Sequence, residues 1–335
     1  QFTDMSLFDW ASVGLAGQDE PVSRAARAMA LEDSTDGKAT LIGGGRANPR
    51  AAALANGAVS HALDYDDTHF LHIGHPSVVV MSAALAVAEA EGSSGEAFLA
   101  ALTTGLELAC RVGDWLGRSH YEAGFHQTGT AGAFGAAAAA GRLLGLNEDQ
   151  MASALGLATT RAAGLKSQMG FMGKPLNAGF AAEVGVTVAL LARHGAASNP
   201  AAFEDAQGFG PTHAGSGRME AFEGLGRDWV FPSISYKFHA CCHGLHAMLE
   251  SIRKVKEAGY DPAAIEQITV TTNPRWFAVC HKSEPQTGLE AKFSYRLTAA
   301  MALLGVDTAD LSVYSDEACR RGDLVALRDR VSVVA

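Results

Sequence analysis

Apolar residues recur on nearly every face of several long stretches in the first two thirds of the chain. Residues 49–63 are rich in alanine, and residues 78–91 are apolar almost all round before Gly92, a typical helix stop. Ser93 followed by Glu96 has the form of a capping box that begins the next helix. Further helices are predicted over 128–144 and 147–163. Helices without a polar face are buried ones, so this part is predicted to be an all-helical domain.

The pattern changes after residue 199. Residues 200–232 are rich in glycine and irregular, whereas 243–258 and 289–304 have helical patterns. Residues 267–272 (QITVTT) and 331–334 have the β-branched composition of strands. We therefore predict a mainly α protein with an all-helical domain over 1–231 and a smaller α+β domain over 232–335. Two strands make a poor sheet alone, so we expect the second domain to be incomplete at its C-terminal end.

Composition narrows the class of protein. The 335 residues carry 26 Lys+Arg against 36 Asp+Glu, a formal charge of −10, which argues against a nucleic-acid partner. Residues 1–10 lack the pattern of a signal peptide, and the apolar run 78–88 is too short to cross a membrane. The five cysteines are odd in number and lack paired metal spacing. We expect a cytoplasmic protein with no membrane partner.

The segment 38–45 (KATLIGGG) resembles a dinucleotide-binding loop at first sight. The spacing fails, because Asn48 stands where the third glycine belongs, and Asp64 follows a helical stretch rather than a strand. No dinucleotide cofactor is therefore predicted.

The densest ionisable segment is the loop 64–77. It contains Asp64, Asp66, Asp67, His69, His72 and His75. Histidines three apart beside carboxylates permit a metal site, but Gly74 and Pro76 argue against the helix that would align them. A solvated loop and a metal-free catalytic loop are the other interpretations, and the last is favoured because imidazole titrates near neutrality.

Three other segments carry candidate chemistry. His126 and Thr128 stand just before a helix, where N–H groups could bind a carboxylate, although Thr128 could equally be a plain N-cap. Lys174 precedes a proline, and by itself such a lysine is usually a surface charge. The segment 236–246 contains Lys237, Cys241, Cys242, His243 and His246, with the last two histidines one helical turn apart.

Taken together, these segments resemble the MmgE/PrpD family, which includes 2-methylcitrate dehydratase, cis-aconitate decarboxylase and iminodisuccinate epimerase. The blocks that carry the resemblance are GGGRANPRAAALANGAVSHALDYDDTH (43–69), GHPS (74–77), GFHQTGTAGAFGAAAAAGRLLGL (124–146), GKPLNAGFAAEVG (173–185), YKFHACCHGLHA (236–247) and TGLEAKFS (287–294). The resemblance implies a large helical domain, a smaller α+β lid domain, a cleft between them and a homodimer. It also implies chemistry on small di- or tricarboxylates without a cofactor or metal.

The resemblance also implies which residues form the site. The catalytic positions it indicates are Asp64, Thr68, His75, His126, Lys174 and His243, and the substrate-binding positions are Thr128, Lys174, Lys237 and Cys242. One position departs from the pattern. Decarboxylase members are expected to have a tyrosine three residues after the serine of the KFS block, where this chain has Leu297.

The functional hypothesis is a lyase that dehydrates a 2-methylcitrate-like hydroxy acid by acid/base proton transfer. His126 and Lys174 would hold substrate charge and make one proton transfer, while Asp64 and His75 would form the opposing pair, with Asp64 orienting an imidazole. An epimerase of an iminodisuccinate-like dicarboxylate is the first alternative, because it needs the same proton abstraction. A non-catalytic carboxylate-binding or scaffold protein and, last, a metalloenzyme are the others.

Overall fold

A computed structural model describes residues 1–33 and 37–335, which form two compact units. The helical unit comprises Gln1–Ala62, Asp66–Gln168 and Met172–Tyr236, and the C-terminal unit comprises Leu63–Tyr65, Met169–Phe171 and Lys237–Ala335. The main division between them follows Tyr236, close to the predicted 231/232 division. Two short segments from earlier in the chain join the C-terminal unit, which a single cut along the sequence does not describe.

Nine α-helices form most of the helical unit in the part of the chain that the structure describes. They are α1 (Phe2–Ala16), α2 (Pro21–Glu32), α3 (Pro49–His61), α4 (Pro76–Glu91), α5 (Gly95–Glu122, kinked at Gly117), α6 (Gln127–Leu143), α7 (Glu148–Ala158), α8 (Gly173–Arg193) and the single turn α9 (Phe209–Thr212). The predicted mainly α class is confirmed, and α3, α4 and α6 agree with their predicted ranges to within two residues.

Side-chain caps fix where these helices begin and end. Asn48 accepts hydrogen bonds from the first amides of α3, and Asn147 forms a capping box with Gln150 at the start of α7. At α5 the cap is Ser94, which accepts from the amide of Ala97, so the predicted capping box at Ser93 is wrong by one residue. Gly92 ends α4 in the left-handed conformation, as predicted, with φ at 65°.

Small residues let the central helices approach closely. A Cβ added to Gly135 on α6 would lie 2.5 Å from the carbonyl oxygen of Gly105 on α5. A Cβ on Gly185 of α8 would lie 2.3 Å from Cβ of Ala136. The alanine and glycine content of these helices is therefore a packing requirement, which explains how a chain with few aromatic residues forms a dense core.

Helix α8, Gly173–Arg193, is also long and apolar enough to cross a membrane by length and composition. Within the described residues it is the one helix that passes this test, and 67% of its most apolar window is buried in the protein. A central helix of a helical core has the same character, so the finding is weak evidence for a membrane segment.

A buried ion pair fastens the irregular segment after α8 to the helical core. Arg111 Nε donates to Glu107 Oε1 at 2.6 Å, and the guanidinium also donates to the carbonyls of Ala221, Glu223 and Asp228. The Glu107 carboxylate accepts from the amides of residues 230 and 231. Two charged side chains of α5 thus hold residues 221–231 of this segment to the helical core.

The glycine-rich segment near residue 43 is a tight hairpin. Strands β1 (Ala39–Thr40) and β2 (Arg46–Ala47) pair antiparallel, and Gly43, Gly44 and Gly45 between them all have positive φ. The glycines serve a turn between two antiparallel strands, not the strand-to-helix turn that binds a dinucleotide.

The C-terminal unit combines short helices with a two-stranded parallel sheet. Its elements are α10 (His246–Glu257), β3 (Ile268–Thr271), α11 (Pro274–Cys280), α12 (Gly288–Ala291), α13 (Tyr295–Leu303), α14 (Asp316–Arg320), α15 (Gly322–Arg328) and β4 (Val331–Val334). Both predicted strands are present, and they pair in parallel from Ile268 with Val331 to Thr271 with Val334. The predicted single helix over 289–304 is wrong, because Ser294 interrupts it and caps α13 by accepting from the amide of Leu297.

Candidate active site

The loop between α3 and α4 brings two histidines of the helical unit to one carboxylate. His61 is the last residue of α3, and His75 is the N-cap of α4, directly before Pro76. The Asp66 carboxylate lies between them. Its oxygens are 2.9 and 3.0 Å from Nδ1 of His61, and Oδ2 is 2.8 Å from Nδ1 of His75. All three side chains are buried.

A lysine from a distant part of the sequence reaches the same cluster. Lys174 is the second residue of α8 and only 3% exposed, and its Nζ lies 2.9 Å from Nε2 of His61. An ammonium group can only donate, so Nε2 of His61 accepts and Nδ1 carries the proton that is donated to Asp66. The predicted surface-charge alternative for Lys174 is thereby wrong.

Burial and neighbouring charges set the protonation of the central pair. Burial, with a smaller contribution from Lys174, lowers the pKa of His61 to about 4 despite the opposing effect of Asp66, so the ring is neutral near pH 7. Burial alone would raise the pKa of Asp66, but His61 and His75 outweigh it and hold that pKa well below its usual range. The cluster therefore contains a carboxylate, a neutral imidazole and a lysine in a hydrogen-bonded line.

The third imidazole belongs to the N-terminus of α6. His126 is the N-cap of that helix, its ring stacks on His61 with centroids 5.8 Å apart, and its Nδ1 lies 3.1 Å from Nδ2 of Asn177. The His61 and His75 rings meet edge to face at 4.6 Å. Three imidazoles, a carboxylate and an ammonium side chain thus occupy one buried region of the helical unit, which we call the imidazole cluster (His61, Asp66, His75, His126, Lys174).

The two predicted threonines have different surroundings. The hydroxyl of Thr128 accepts a hydrogen bond from the amide of His75 at 3.0 Å, which ties α6 to the start of α4. The N-cap of α6 is His126, so the N-cap interpretation of Thr128 is wrong. Thr68 exchanges both backbone hydrogen bonds with Ser235, each at 2.8 Å. Their functional roles stay predictions.

The other loop histidines do not join the imidazole cluster. Nδ1 of His72 is 2.9 Å from the carbonyl of Ala109, and Nε2 of His69 is 2.9 Å from the carbonyl of Val230. These two rings fasten the loop to the helical core. Three histidines spaced by three therefore do not form one ligand set.

A different set of groups has the right type for a metal ion. One nitrogen each of His61 and His75 and one oxygen of Asp66 lie within 4.8 Å of one another. In the structure, however, both Nδ1 atoms are turned to the carboxylate, and Nε2 of His61 is turned to the Lys174 side chain. An ammonium at this distance repels a metal cation, so the arrangement suits proton transfer better than metal binding.

In the C-terminal unit, Asp64 is held by Lys237. The Lys237 Nζ donates to both the Asp64 carbonyl and Oδ1, the latter at 3.1 Å, and both side chains are buried. Asp64 has a φ of 52°, which is rare for a residue other than glycine. Lys292 Nζ donates to the carbonyl of Leu63 at 2.5 Å. Two buried lysines therefore fix the backbone of this short segment.

The remaining predicted residues also belong to the C-terminal unit. The Cys242 thiol forms a hydrogen bond with that of Cys280, which lowers the pKa of Cys242 against the opposing effect of burial. His243 stacks on His246 with centroids 4.7 Å apart, consistent with their predicted placement on one face. The catalytic role of His243 and the substrate-binding roles of Lys237 and Cys242 stay predictions.

Three members or neighbours of the site are missing from the predicted set. The sequence pattern places His61 only in a helix, gives Asp66 no role within the loop and does not single out Asn177. A signal for Asn177 exists, since it lies three residues after Lys174 on the same face of α8. No spacing in the sequence indicates that His61 meets Lys174, 113 residues away.

A buried cluster of imidazoles around one carboxylate and one lysine, built on a helical core, is the kind of site that moves protons without help from a bound metal. Models of the MmgE/PrpD N-terminal domain and the MmgE/PrpD C-terminal domain match residues 2–221 and 239–335. The chain therefore belongs to the MmgE/PrpD family.

Curated relatives include several proteins named for one reaction. The chain is 34% identical to the cis-aconitate decarboxylase-like protein oryM of Aspergillus oryzae over 78% of this chain and 58% of the relative. It is 34% identical to the cis-aconitate decarboxylase of Aspergillus terreus over 66% and 48%, and 28% identical to that of Homo sapiens over 77% and 56%. The chain thus spans about half the length of the curated relatives it matches.

Proposed function

We propose that the protein is a lyase that acts on a small tricarboxylate by proton transfer at a substrate carbon. The observation that carries the proposal is the buried imidazole cluster. Imidazoles exchange protons near neutral pH, and a lysine beside them supplies charge for carboxylate binding in a chain whose net charge is −10. The relatives' names add that members of this family act on a tricarboxylate.

The cluster supplies each part such a reaction needs. His75 would exchange the proton at carbon, Lys174 would pair with a substrate carboxylate and provide a second transferable proton, and His126 would face the substrate from α6. Asp66 stabilises whichever histidine becomes an imidazolium. Asp64, His243, Lys237 and Cys242 remain candidate contributors from the C-terminal unit.

Decarboxylation of cis-aconitate is the first reaction to test, because the relatives at 34% identity carry that name. In this reaction the bond between a carboxylate and the carbon skeleton breaks, CO₂ leaves without the electron pair, and a carbon of the skeleton is protonated. The Lys174 ammonium group in the cluster is a suitable proton donor for that step.

Dehydration of a hydroxytricarboxylate such as 2-methylcitrate is the second candidate. It is favoured by Leu297, which is fully buried in α13 at the position where the resemblance implies a tyrosine in decarboxylases. In this reaction a base removes a proton from carbon and hydroxide leaves as water after it receives a proton. The same cluster contains groups for both transfers.

Incubation of the protein in heavy water with cis-aconitate, with 2-methylcitrate and with a dicarboxylate separates the candidate functions. CO₂ release from cis-aconitate indicates the decarboxylase, and new alkene absorbance from 2-methylcitrate indicates the dehydratase. Deuterium uptake into a dicarboxylate with neither product would indicate an epimerase, and ligand-induced thermal stabilisation without any turnover would indicate a binding protein. Both of these last results reject the lyase.

Substitution then tests the cluster. His75→Ala and His126→Ala should each lower turnover by about 10²-fold or more, since general acid–base groups contribute that much. His194→Ala is the matched control, because His194 is a histidine at the end of α8, outside the cluster. Turnover by both cluster variants at the control's rate would reject the assignment.

A further inference from the structure

His75 and His126 are the N-cap residues of α4 and α6, and their Nδ1 atoms have partners of opposite hydrogen-bonding type. Nδ1 of His75 lies 2.8 Å from Oδ2 of Asp66, which is ionised and can only accept a hydrogen bond. Nδ1 of His126 lies 3.1 Å from Nδ2 of Asn177, which can only donate. The two rings are therefore held by a pure acceptor in one case and a pure donor in the other.

The orientation of the Asn177 amide is fixed by a second contact. Its Nδ2 also donates to the backbone carbonyl of Leu165 at 3.3 Å, a position where an amide oxygen would face another oxygen. The nitrogen end of the amide is thus the end that meets His126, and Nδ1 of His126 must accept.

A neutral imidazole has one N–H and one lone pair, so fixing one nitrogen fixes the other. His75 with its proton on Nδ1 has a lone pair on Nε2. His126 with a lone pair on Nδ1 has its proton on Nε2. The partners of the two rings consequently give their Nε2 nitrogens opposite chemical character.

We propose that Asp66 and Asn177 are positioning residues that hold His75 and His126 in opposite tautomers, so that His75 exchanges protons at Nε2 while His126 binds a substrate carboxylate through its Nε2–H. The assignment of substrate contacts rests on the proposed lyase function. The tautomers themselves do not, because they follow from contacts within the protein.

The division of labour follows from proton balance. When Nε2 of His75 takes a proton from carbon, the C–H electron pair stays on the substrate and the new imidazolium keeps its Nδ1–H on Asp66. In the reverse direction the same N–H returns its proton to carbon. Neutral His126 cannot act as the acid in this way, since loss of its one N–H would leave an imidazolate, so its N–H serves as a hydrogen-bond donor.

His61 supports the Asp66 side of this arrangement. It donates from Nδ1 to the same carboxylate and accepts from Lys174 at Nε2. The Asp66 carboxylate therefore accepts a hydrogen bond from His61 and lies at ion-pair distance from Nδ1 of His75, so its oxygens remain in the acceptor state that the Nδ1–H tautomer of His75 requires.

Nitrogen-15 NMR of histidine-labelled protein reads the tautomers directly, without substrate. His75→Asn and His126→Asn assign the two rings by loss of their signals. For the neutral form of each ring, we expect Nδ1–H for His75 and Nε2–H for His126. Asn177→Asp replaces the donor by an acceptor of the same shape, and it should convert His126 to the Nδ1–H tautomer while leaving His75 unchanged.

Asp66→Asn should release His75 from the Nδ1–H tautomer and leave His126 unchanged. Asp67→Asn is the matched control, because it removes the neighbouring buried carboxyl group, which bonds to serines and not to these rings. The same tautomer on both rings of the unsubstituted protein, or an unchanged His126 in a natively folded Asn177→Asp variant, would overturn the proposal.

Steady-state kinetics tests the two roles separately. Asp66→Asn should lower kcat by about 10²-fold with little change in KM, and Asn177→Asp should raise KM by at least about tenfold with a smaller change in kcat. Equal effects on both constants in both variants would overturn the division of roles. The predicted tautomers in a protein that turns over no tricarboxylate would instead reject the lyase and leave the tautomer assignment standing.

Discussion

An Asp67→Asn variant should become more stable relative to the unsubstituted chain as the pH rises. Asp67 is fully buried in the helical unit, where the hydroxyls of Ser6 and Ser77 donate to Oδ2 at 3.1 and 2.5 Å. Its own amide donates to a carboxylate oxygen of Asp9. Asp66 is the preceding residue in the chain. The Asp67 carboxyl group therefore lies in a buried site with two other acidic groups nearby.

Burial, with repulsion from Asp9 and a smaller contribution from Asp66, raises the pKa of Asp67 from 3.8 to about 8. The Asp67 charge also contributes to the raised pKa values of Tyr236 and Cys110. Because the folded pKa is the higher one, folding is favoured by this group below pH 3.8, and that contribution is lost as the pH rises through 8. Between about pH 5 and pH 8 the lost free energy is at most about 4 kcal/mol, at about 1.4 kcal/mol for each unit of pKa difference.

The asparagine side chain has no proton to lose in this pH range, so the Asp67→Asn variant should be free of this loss. The difference in free energy of unfolding between the variant and the unsubstituted chain should move by about 2–4 kcal/mol in favour of the variant from about pH 5 to pH 8. Urea unfolding at the two pH values, followed by circular dichroism, measures it. Effects of the substitution that do not depend on ionisation contribute equally at both pH values, and a difference that does not change with pH would refute the reasoning.

Three further predictions concern packing, a buried charge and acid stability. Gly135→Ala places a methyl group against the Gly105 carbonyl and should cost about 1–3 kcal/mol or more in unfolding free energy, whereas Gly95→Ala, with nothing within 4 Å of the new Cβ, should cost nothing measurable by the same urea titration. Arg111→Met should cost about 3–5 kcal/mol because it leaves a buried glutamate unpaired, and an unchanged midpoint of thermal unfolding would contradict this. Burial lowers the pKa of His72 from 6.5 to about 3, so the unfolded chain binds this proton first and stability is lost as the pH falls from 6.5 toward 3. The His72→Gln variant should lose less unfolding free energy over this pH range in acid titrations. An equally steep loss in the variant would contradict the prediction.

Most of the secondary structure could be predicted from local signals. Helix α4 has an apolar composition on all sides and a left-handed glycine at its end, and strand β4 has the β-branched pattern over its predicted residues. The predicted helix over 289–304 failed for a physical reason. Its pattern continues through Ser294, but the hydroxyl of that residue accepts from the amide of Leu297 and begins a new helix.

Only some residues of the candidate site could be predicted from the sequence. The family resemblance indicated His75, His126 and Lys174, and all three meet in the imidazole cluster. The expectation that Asp64 orients an imidazole stays a prediction, and within the helical unit Asp66 contacts His75. Asp66 lies in a loop without a repeating geometry, so neither periodicity nor spacing indicated its contact with this ring.

His61 shows most clearly what the sequence could not supply. It lies inside an alanine-rich helix and has the appearance of an ordinary core histidine, yet it joins Asp66 to a lysine 113 residues later. Its low pKa matters for that connection, since a protonated His61 would have no lone pair to accept from Lys174 and would place two cations 2.9 Å apart. A neutral His61 instead accepts a hydrogen bond from the ammonium group at Nε2 and donates one to the carboxylate from Nδ1, while both groups keep their charges. The packing of α8 against α3 thus brings Lys174 to His61, and that packing is a long-range property which no local motif encodes.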